Sequence, residues 1–290
     1  MRGSMDGWGS GLIGVLIFSG SLPATRLAVA GFSPLFLTSA RAVIAAGLGA
    51  ALLFALRQAG PGTRPLRGDL APLAIVAAGV VLGFPLLTAL ALEQMTSAHS
   101  TVFIGLLPVS TALFGVIRGG ERPKPAFWAF SLLGAAAVAG FAWSTSTSAT
   151  LAGDLLMLAA IAICGLGYAE GARLSRRLGG WQVISWALVV SLPAMVLLAA
   201  ATWPPVWSGV GGPAWLGLAY VSVFSMLIGF VFWYRGLARG GIAGVGQLQL
   251  LQPFFGLALA GLLLGEPVAG SMIAVTALVV LCVAGAKRFA

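Results

Sequence analysis

The sequence predicts an all-α integral membrane protein: ten transmembrane helices, arranged as two inverted five-helix repeats around a central cavity. Three observations lead there. Of the 290 residues, 59% are hydrophobic and 8% charged, and the mean hydropathy is +1.03, a composition no soluble domain of this length has. Uncharged runs of about 20 residues recur, the length that crosses ~30 Å of hydrocarbon as helix. Pro108 and Glu121 are matched by Pro253 and Glu266, both pairs 145 residues apart.

The runs place helices at 9–29, 34–56, 70–91, 97–117, 125–144, 153–173, 181–202, 214–235, 241–264 and 268–286. Leu70 to Leu92, Gln94 to Ile117, Gly240 to Gly265 and Pro267 to Ala286 are each free of charge. The run from Leu178 to Tyr234 is too long for one crossing and splits at Trp203-Pro204-Pro205 and Gly211-Gly212-Pro213. All are apolar on every side with interspersed Gly and Ala, whereas a β-barrel needs short segments of alternating polarity.

The 145-residue register extends beyond the two pairs: Leu92 lies over Leu237, Ala98 over Ala243, Leu106 over Leu251 and Gly140 over Gly285. An internal repeat follows, residues 5–145 and 146–290, with Met1-Arg2-Gly3-Ser4 ahead of Met5 read as a vector-derived scar and the first helix retained. Five crossings per half start the two copies on opposite sides of the membrane, which makes the repeat inverted.

Of the 16 Lys and Arg, all but Arg26 and Arg41 fall at one set of alternate helix ends. The loops Ser144 to Gly153 and Trp203 to Pro213 carry none. The positive-inside rule therefore puts both termini and the basic loops in the cytoplasm. The net charge of +9 is a topology signal facing an anionic leaflet, not a nucleic-acid footprint. Eight of the nine tryptophans, Trp233 among them, are expected at helix ends as interfacial anchors, with Trp186 the exception.

Several functions are excluded by what is missing. No glycine loop ending in Lys-Ser or Lys-Thr can cradle a phosphate, because Lys124 and Lys287 are the only lysines. One histidine, His99, cannot build a zinc centre, and Asp6, Asp69 and Asp154 all lie at helix ends. Cys164 and Cys282 match no metal or redox spacing and are expected as small apolar fillers. No enzyme, cofactor or metal is expected, and no carboxylate is expected at mid-membrane. The expected partners are the bilayer and a small-molecule substrate, with no obligatory protein partner.

Ala91-Leu92-Glu93-Gln94-Met95-Thr96-Ser97-Ala98, then Pro108, then Gly120-Glu121-Arg122 resembles the EamA repeat of the drug/metabolite transporter superfamily. The second copy reads Gly236 to Ala243, then Pro253, then Gly265-Glu266-Pro267. Together the copies cover nearly the whole chain, which is most similar overall to the YddG-like amino-acid exporters of bacterial inner membranes. The resemblance implies a ten-helix basket around a central cavity, exporting aromatic and other neutral amino acids by alternating access. Efflux of lipophilic cations, drugs or other metabolites is the alternative, and a membrane-embedded enzyme or scaffold a distant one.

The expected substrate-binding residues are Gln247, Gln249, Gln252, Tyr168, Trp186, Phe84 and Arg41. An amide in hydrocarbon is costly unless satisfied, so the three glutamines of the ninth helix should face inward, either to hold a zwitterion or to join helices. Arg41 lies two turns into the second helix, where a charge needs a partner; it matches a basic position common in this family, and either pairs a substrate carboxylate or binds main-chain carbonyls. Tyr168, Trp186 and Phe84 supply apolar wall, with Tyr220, Trp233 and Tyr234 as lesser candidates. Pro85, Pro108 and Pro253 are expected at hinges, since a proline leaves the carbonyl four residues back unbonded. His99 and Glu93, across one outer turn, are either a proton-coupling pair or a solvated one. Glu121 and Glu266 are expected to be structural, each complementing the start of its own helix.

Overall fold

The structure is a computed structural model, and it describes residues 2–57, 64–92, 94, 103–144, 150–252, 254–256, 258–259 and 270–290. Among them every regular element is helical. Six helices are long and apolar enough to cross a membrane: α1 (Asp6–Val29), α2 (Pro34–Ala55), α3 (Arg67–Ala91), α6 (Leu151–Leu178), α7 (Gly180–Ala201) and α8 (Gly212–Gly240). Shorter apolar helices are α4 (Leu107–Gly119) and α5 (Pro125–Ser144), and α9 opens with Ile242–Gly246. The last helix is α10 (Gly270–Phe289).

Sequence chemistry sets the ends. The Ser33 hydroxyl accepts from the Phe36 amide, with Pro34 in the first turn of α2 where no donor is needed. Thr150 caps α6 in the same way through Gly153. At the other end of α4, Gly120 takes a φ of +69°, a left-handed conformation that closes the helix and that a side chain would oppose.

Three helices depart from the continuous α-helix predicted for them. In α9, the Gln249 carbonyl would need an amide from residue 253, which is proline; it accepts from Gln252 instead, and Gln247–Leu251 tightens into a 3₁₀ turn. In α3, Ala77–Gly83 is wound as π-helix, with the Phe84 amide reaching back to Gly79. In α8, Val221–Ile228 does the same, with Gly229 reaching Phe224. Pro85 follows the first π stretch but Phe230 occupies the matching place after the second, so a proline is not required for the extra residue per turn. Helix 97–117 is also shorter than predicted within the described residues: a turn at 105–106 precedes α4, and Pro108 sits in a first helical turn, not in a helix interior.

Packing joins distant parts of the chain at small residues. Helix α1 lies along α8, where the Ser10 hydroxyl donates to the Phe232 carbonyl at 2.8 Å. A Cβ on Gly236 would sit 2.7 Å from Gly11 Cα, so glycine permits the approach. Helix α3 meets α6 at Gly79, whose Cβ would lie 2.6 Å from the Ile163 carbonyl oxygen. The remaining principal pairs are α2 with α7, α4 with α6, and α5 with α10, where Phe130 and Phe289 stack at 6.0 Å. Trp233 and Tyr234 are fully buried in the main core, not at an interface as predicted. Their helix turns that face toward α1 and α6: Trp233 backs onto Gly14, and the Tyr234 hydroxyl donates to the Gly167 carbonyl at 3.3 Å.

Candidate functional site

A cavity lies among α1, α2, α3, α4, α6, α8 and the 252 end of the α9 region. Its apolar walls are Phe18, Val80, Phe84, Leu107 and Phe230, and its polar groups are Ser21, Thr25, Thr38, Arg41, Thr88, Tyr168, Ser225 and Gln252. No acidic residue among the described residues lines it.

The polar groups are incompletely satisfied. Ser21 and Ser225 hydroxyls bond to each other at 2.8 Å. The Arg41 Nε and the Thr88 hydroxyl are buried with no partner among the described residues. Gln249, 1% exposed, lies behind the wall and donates through Nε2 to the Tyr168 hydroxyl at 3.4 Å, while its Oε1 has no partner. The arrangement thus offers a cation, hydroxyls and an amide to a ligand that carries both charges or a polar head, inside aromatic walls.

Of the predicted site residues, Arg41, Phe84, Tyr168 and Gln252 line this cavity, together with the predicted hinge Pro85. Gln249 stands one layer behind. Gln247 is fully buried with both amide atoms unpartnered and is not part of the lining, and Trp186 packs against the core with its indole N–H unpartnered, also away from the cavity. Pro108 is buried beside the lining residue Leu107. Pro253, His99 and Glu93 lie outside the described residues.

Two carboxylates do work that the sequence did not assign. Glu121 does not serve its own helix. Its oxygens accept from the Ile242 and Ala243 amides at 2.6 and 2.7 Å and from Arg176 at 3.3 Å, so it caps α9 from the α4–α5 connection. Gly115 and Gly119 make this possible by letting α4 lie against Ile242. Glu170, which sequence reading did not single out, is fully buried in α6 and held by Arg118 of α4 and by Arg173, the latter at 3.2 Å. Its i,i+3 spacing to Arg173 was the available signal. Together these contacts close the basic end of the bundle beneath the cavity.

The EamA-like transporter family matches residues 7–143 and again 151–286. The chain belongs to the EamA-like transporter family. This family member is 63% identical over 290 residues to an uncharacterized transporter, YdeK, of Bacillus subtilis (strain 168), and the match covers 100% of both chains. A solved crystal structure of a protein 22% identical to it superposes with a TM-score of 0.81, covering 98% of this chain and 99% of the other, which establishes the shared fold. The EamA chain is therefore a multi-pass membrane transporter.

Proposed function

We propose that this transporter exports neutral amino acids, aromatic ones among them, across the bacterial inner membrane by alternating access between two inverted five-helix repeats, ten crossings in all, with both termini cytoplasmic. The observation that carries the reading is the half-buried Arg41, whose buried Nε has no partner, on a cavity that no carboxylate among the described residues lines. A desolvated guanidinium needs an anion, and the hydroxyls and amides opposite it accept from an ammonium without fixing a negative charge. A lipophilic cation would meet Arg41 unshielded, although Phe18, Phe84, Tyr168 and Phe230 make a wall that suits a cation or an aromatic ring equally.

The inverted arrangement is supported by the packing. Exchanging each helix for the one five places on turns the α1–α8 pair into α6–α3 and leaves α2–α7 and α5–α10 unchanged, and all four are principal contacts. The π stretches in α3 and α8 begin 144 and end 145 residues apart, the offset of the sequence repeat. Such stretches concentrate at functional sites, and both of these supply cavity residues, Val80 and Ser225.

Counterflow of labelled tryptophan, threonine and methionine into proteoliposomes tests the proposal. Uptake is expected from the natural protein and is lost in Arg41→Gln and Gln252→Ala with folding intact. No flux above empty vesicles under any imposed gradient rejects amino acids as substrate.

A further inference from the structure

Leu107 of α4 and Gln252 of the α9 region line the cavity, and each begins a row of residues that runs on toward the basic end of the bundle. On α4 the row is Leu107, Thr111, Gly115 and Gly119, spaced by four and therefore on one face of the helix. On α9 it is Gln252, Gln249, Gly246 and Ile242. Its steps of three follow the 3₁₀ turn, in which residues three apart eclipse, and its step of four follows the α-helical Ile242–Gly246.

The two rows meet. A Cβ on Gly246 would lie 3.5 Å from the Thr111 Cβ, and one on Gly115 or Gly119 would lie 3.1 or 2.8 Å from the Ile242 side chain. Ile242 is thus a knob seated over two glycines, and its own amide donates to Glu121 at 2.6 Å. Below the rows the seam is shut by charge. Glu121 also holds the Ala243 amide and Arg176 of α6, and Glu170 of α6 holds Arg118 of α4.

An independent observation concerns what this seam encloses. Thr111 is fully buried and its hydroxyl has no partner among the described residues, although a threonine within a helix can bond back to the carbonyl four residues earlier. Gln249, 1% exposed, keeps an Oε1 with no partner. A hydroxyl or amide oxygen shut away from water without a bond costs free energy, and apolar residues would join α4 to α9 without that cost. Both groups gain partners when water or a ligand enters between the helices.

We propose that this seam is the closed half of the transport path, with Ile242 as its plug and Glu121 as the latch on the plug, and that Thr111 and Gln249 meet the substrate once the latch is released. The inference rests on the alternating-access reading above. Separation of the two rows joins the cavity to the face that carries Arg118, Arg122 and Arg176. It offers a hydroxyl and an amide to the polar end of a zwitterion along a wall of small residues. Release exchanges two amides and an arginine for water, without unfolding either helix.

Labelling from the two sides of a vesicle tests this. Thr111→Cys, in a background of Cys164→Ala and Cys282→Ala, is treated with a membrane-impermeant maleimide, and Arg122→Cys in the same background marks the face on which the exposed Arg122 lies. Thr111→Cys is expected to react slowly and from that face alone, and about tenfold faster once Glu121→Gln is added, the factor that one charge-assisted bond carries. Asp69→Asn, which frees Arg177 from α3 and leaves α9 alone, does not change the rate. Should Glu121→Gln not fold, Ile242→Ala removes the plug instead and raises the rate severalfold. A rate that neither variant raises overturns the proposal, as does labelling from the opposite face alone. Thr111→Cys paired with Gly246→Cys then ties opening to transport, because Cβ atoms 3.5 Å apart are within disulfide range. Oxidation is expected to abolish flux of labelled tryptophan and reduction to restore it; equal flux in the two forms overturns the proposal. Absence of flux in the natural protein rejects amino acids as substrate and not the seam, whose opening the labelling measures by itself.

Discussion

Replacing Glu121 by glutamine removes a charge from the point where the α4–α5 connection closes α9. The carboxylate accepts from two amides, Ile242 and Ala243, at 2.6 and 2.7 Å. A glutamine offers one oxygen, so one amide loses its acceptor, which costs about 1.5–2 kcal/mol for a bond to a charged group. Loss of the negative charge at the start of α9 adds about 0.5–1 kcal/mol. The Arg176 pair, with that arginine 43% exposed, adds little because water screens it. A total of about 2–3 kcal/mol predicts that these amides open roughly 30- to 160-fold more often. Hydrogen exchange read by mass spectrometry on the peptide spanning Ile242 to Leu251 measures this directly, since nothing else is seen to accept from these first-turn amides. Exchange of those two amides unchanged within threefold would falsify the claim that Glu121 holds this seam.

Further outcomes follow from the same contacts. Gly79→Ala drives a Cβ against the Ile163 carbonyl oxygen and Gly167 Cα, both backbone, and is expected to cost about 1–3 kcal/mol and to lower the thermal midpoint; a variant as stable as the natural protein refutes close packing of α3 on α6. Glu170→Gln strips the partner from Arg118 and Arg173, which can rehydrate because each is about two-fifths exposed, so the loss should be about 1–2 kcal/mol in a denaturation series and not the larger penalty of a sealed ion pair. Tyr168→Phe removes the partner of Gln249 across a long 3.4 Å bond, so stability should fall by less than about 1 kcal/mol while the apparent KM for exported tryptophan rises severalfold; an unchanged KM would separate this residue from the substrate.

Helix boundaries were legible because hydrocarbon thickness and charge exclusion act on single segments: the uncharged runs and the basic ends mark α1 to α3 and α6 to α8 within a few residues. The cavity was legible in part. Arg41, Tyr168, Phe84 and Gln252 stood out as polar or aromatic groups at depth, and depth alone demands a partner. What failed depends on which way a helix is turned. Trp233 and Tyr234 sit near the end of an apolar run and so read as anchors, yet their face is the one that α1 and α6 cover. Gln247 and Gln252 are equally conspicuous in sequence, and the 3₁₀ turn between them puts only the second on the cavity wall. Glu121 reads as complementing the start of its own helix, but the amides it accepts from open α9, more than a hundred residues later and beyond any local pattern. The wound-out π stretches left no mark in composition at all.

The pairing of α1 with α8 has a consequence for biosynthesis. The Ser10 to Phe232 hydrogen bond spans 222 residues. At about 5–20 residues per second, α1 waits roughly 10–45 s in the bilayer before its partner is made. During that interval Gly7, Gly11 and Gly14 present a smooth strip to lipid, the kind of surface on which unrelated helices dimerise. Ribosome pausing, translocon retention or a membrane chaperone acting on the first helix would therefore change the yield of folded protein more than the same delay acting on α7, whose place beside α2 is already prepared when it emerges.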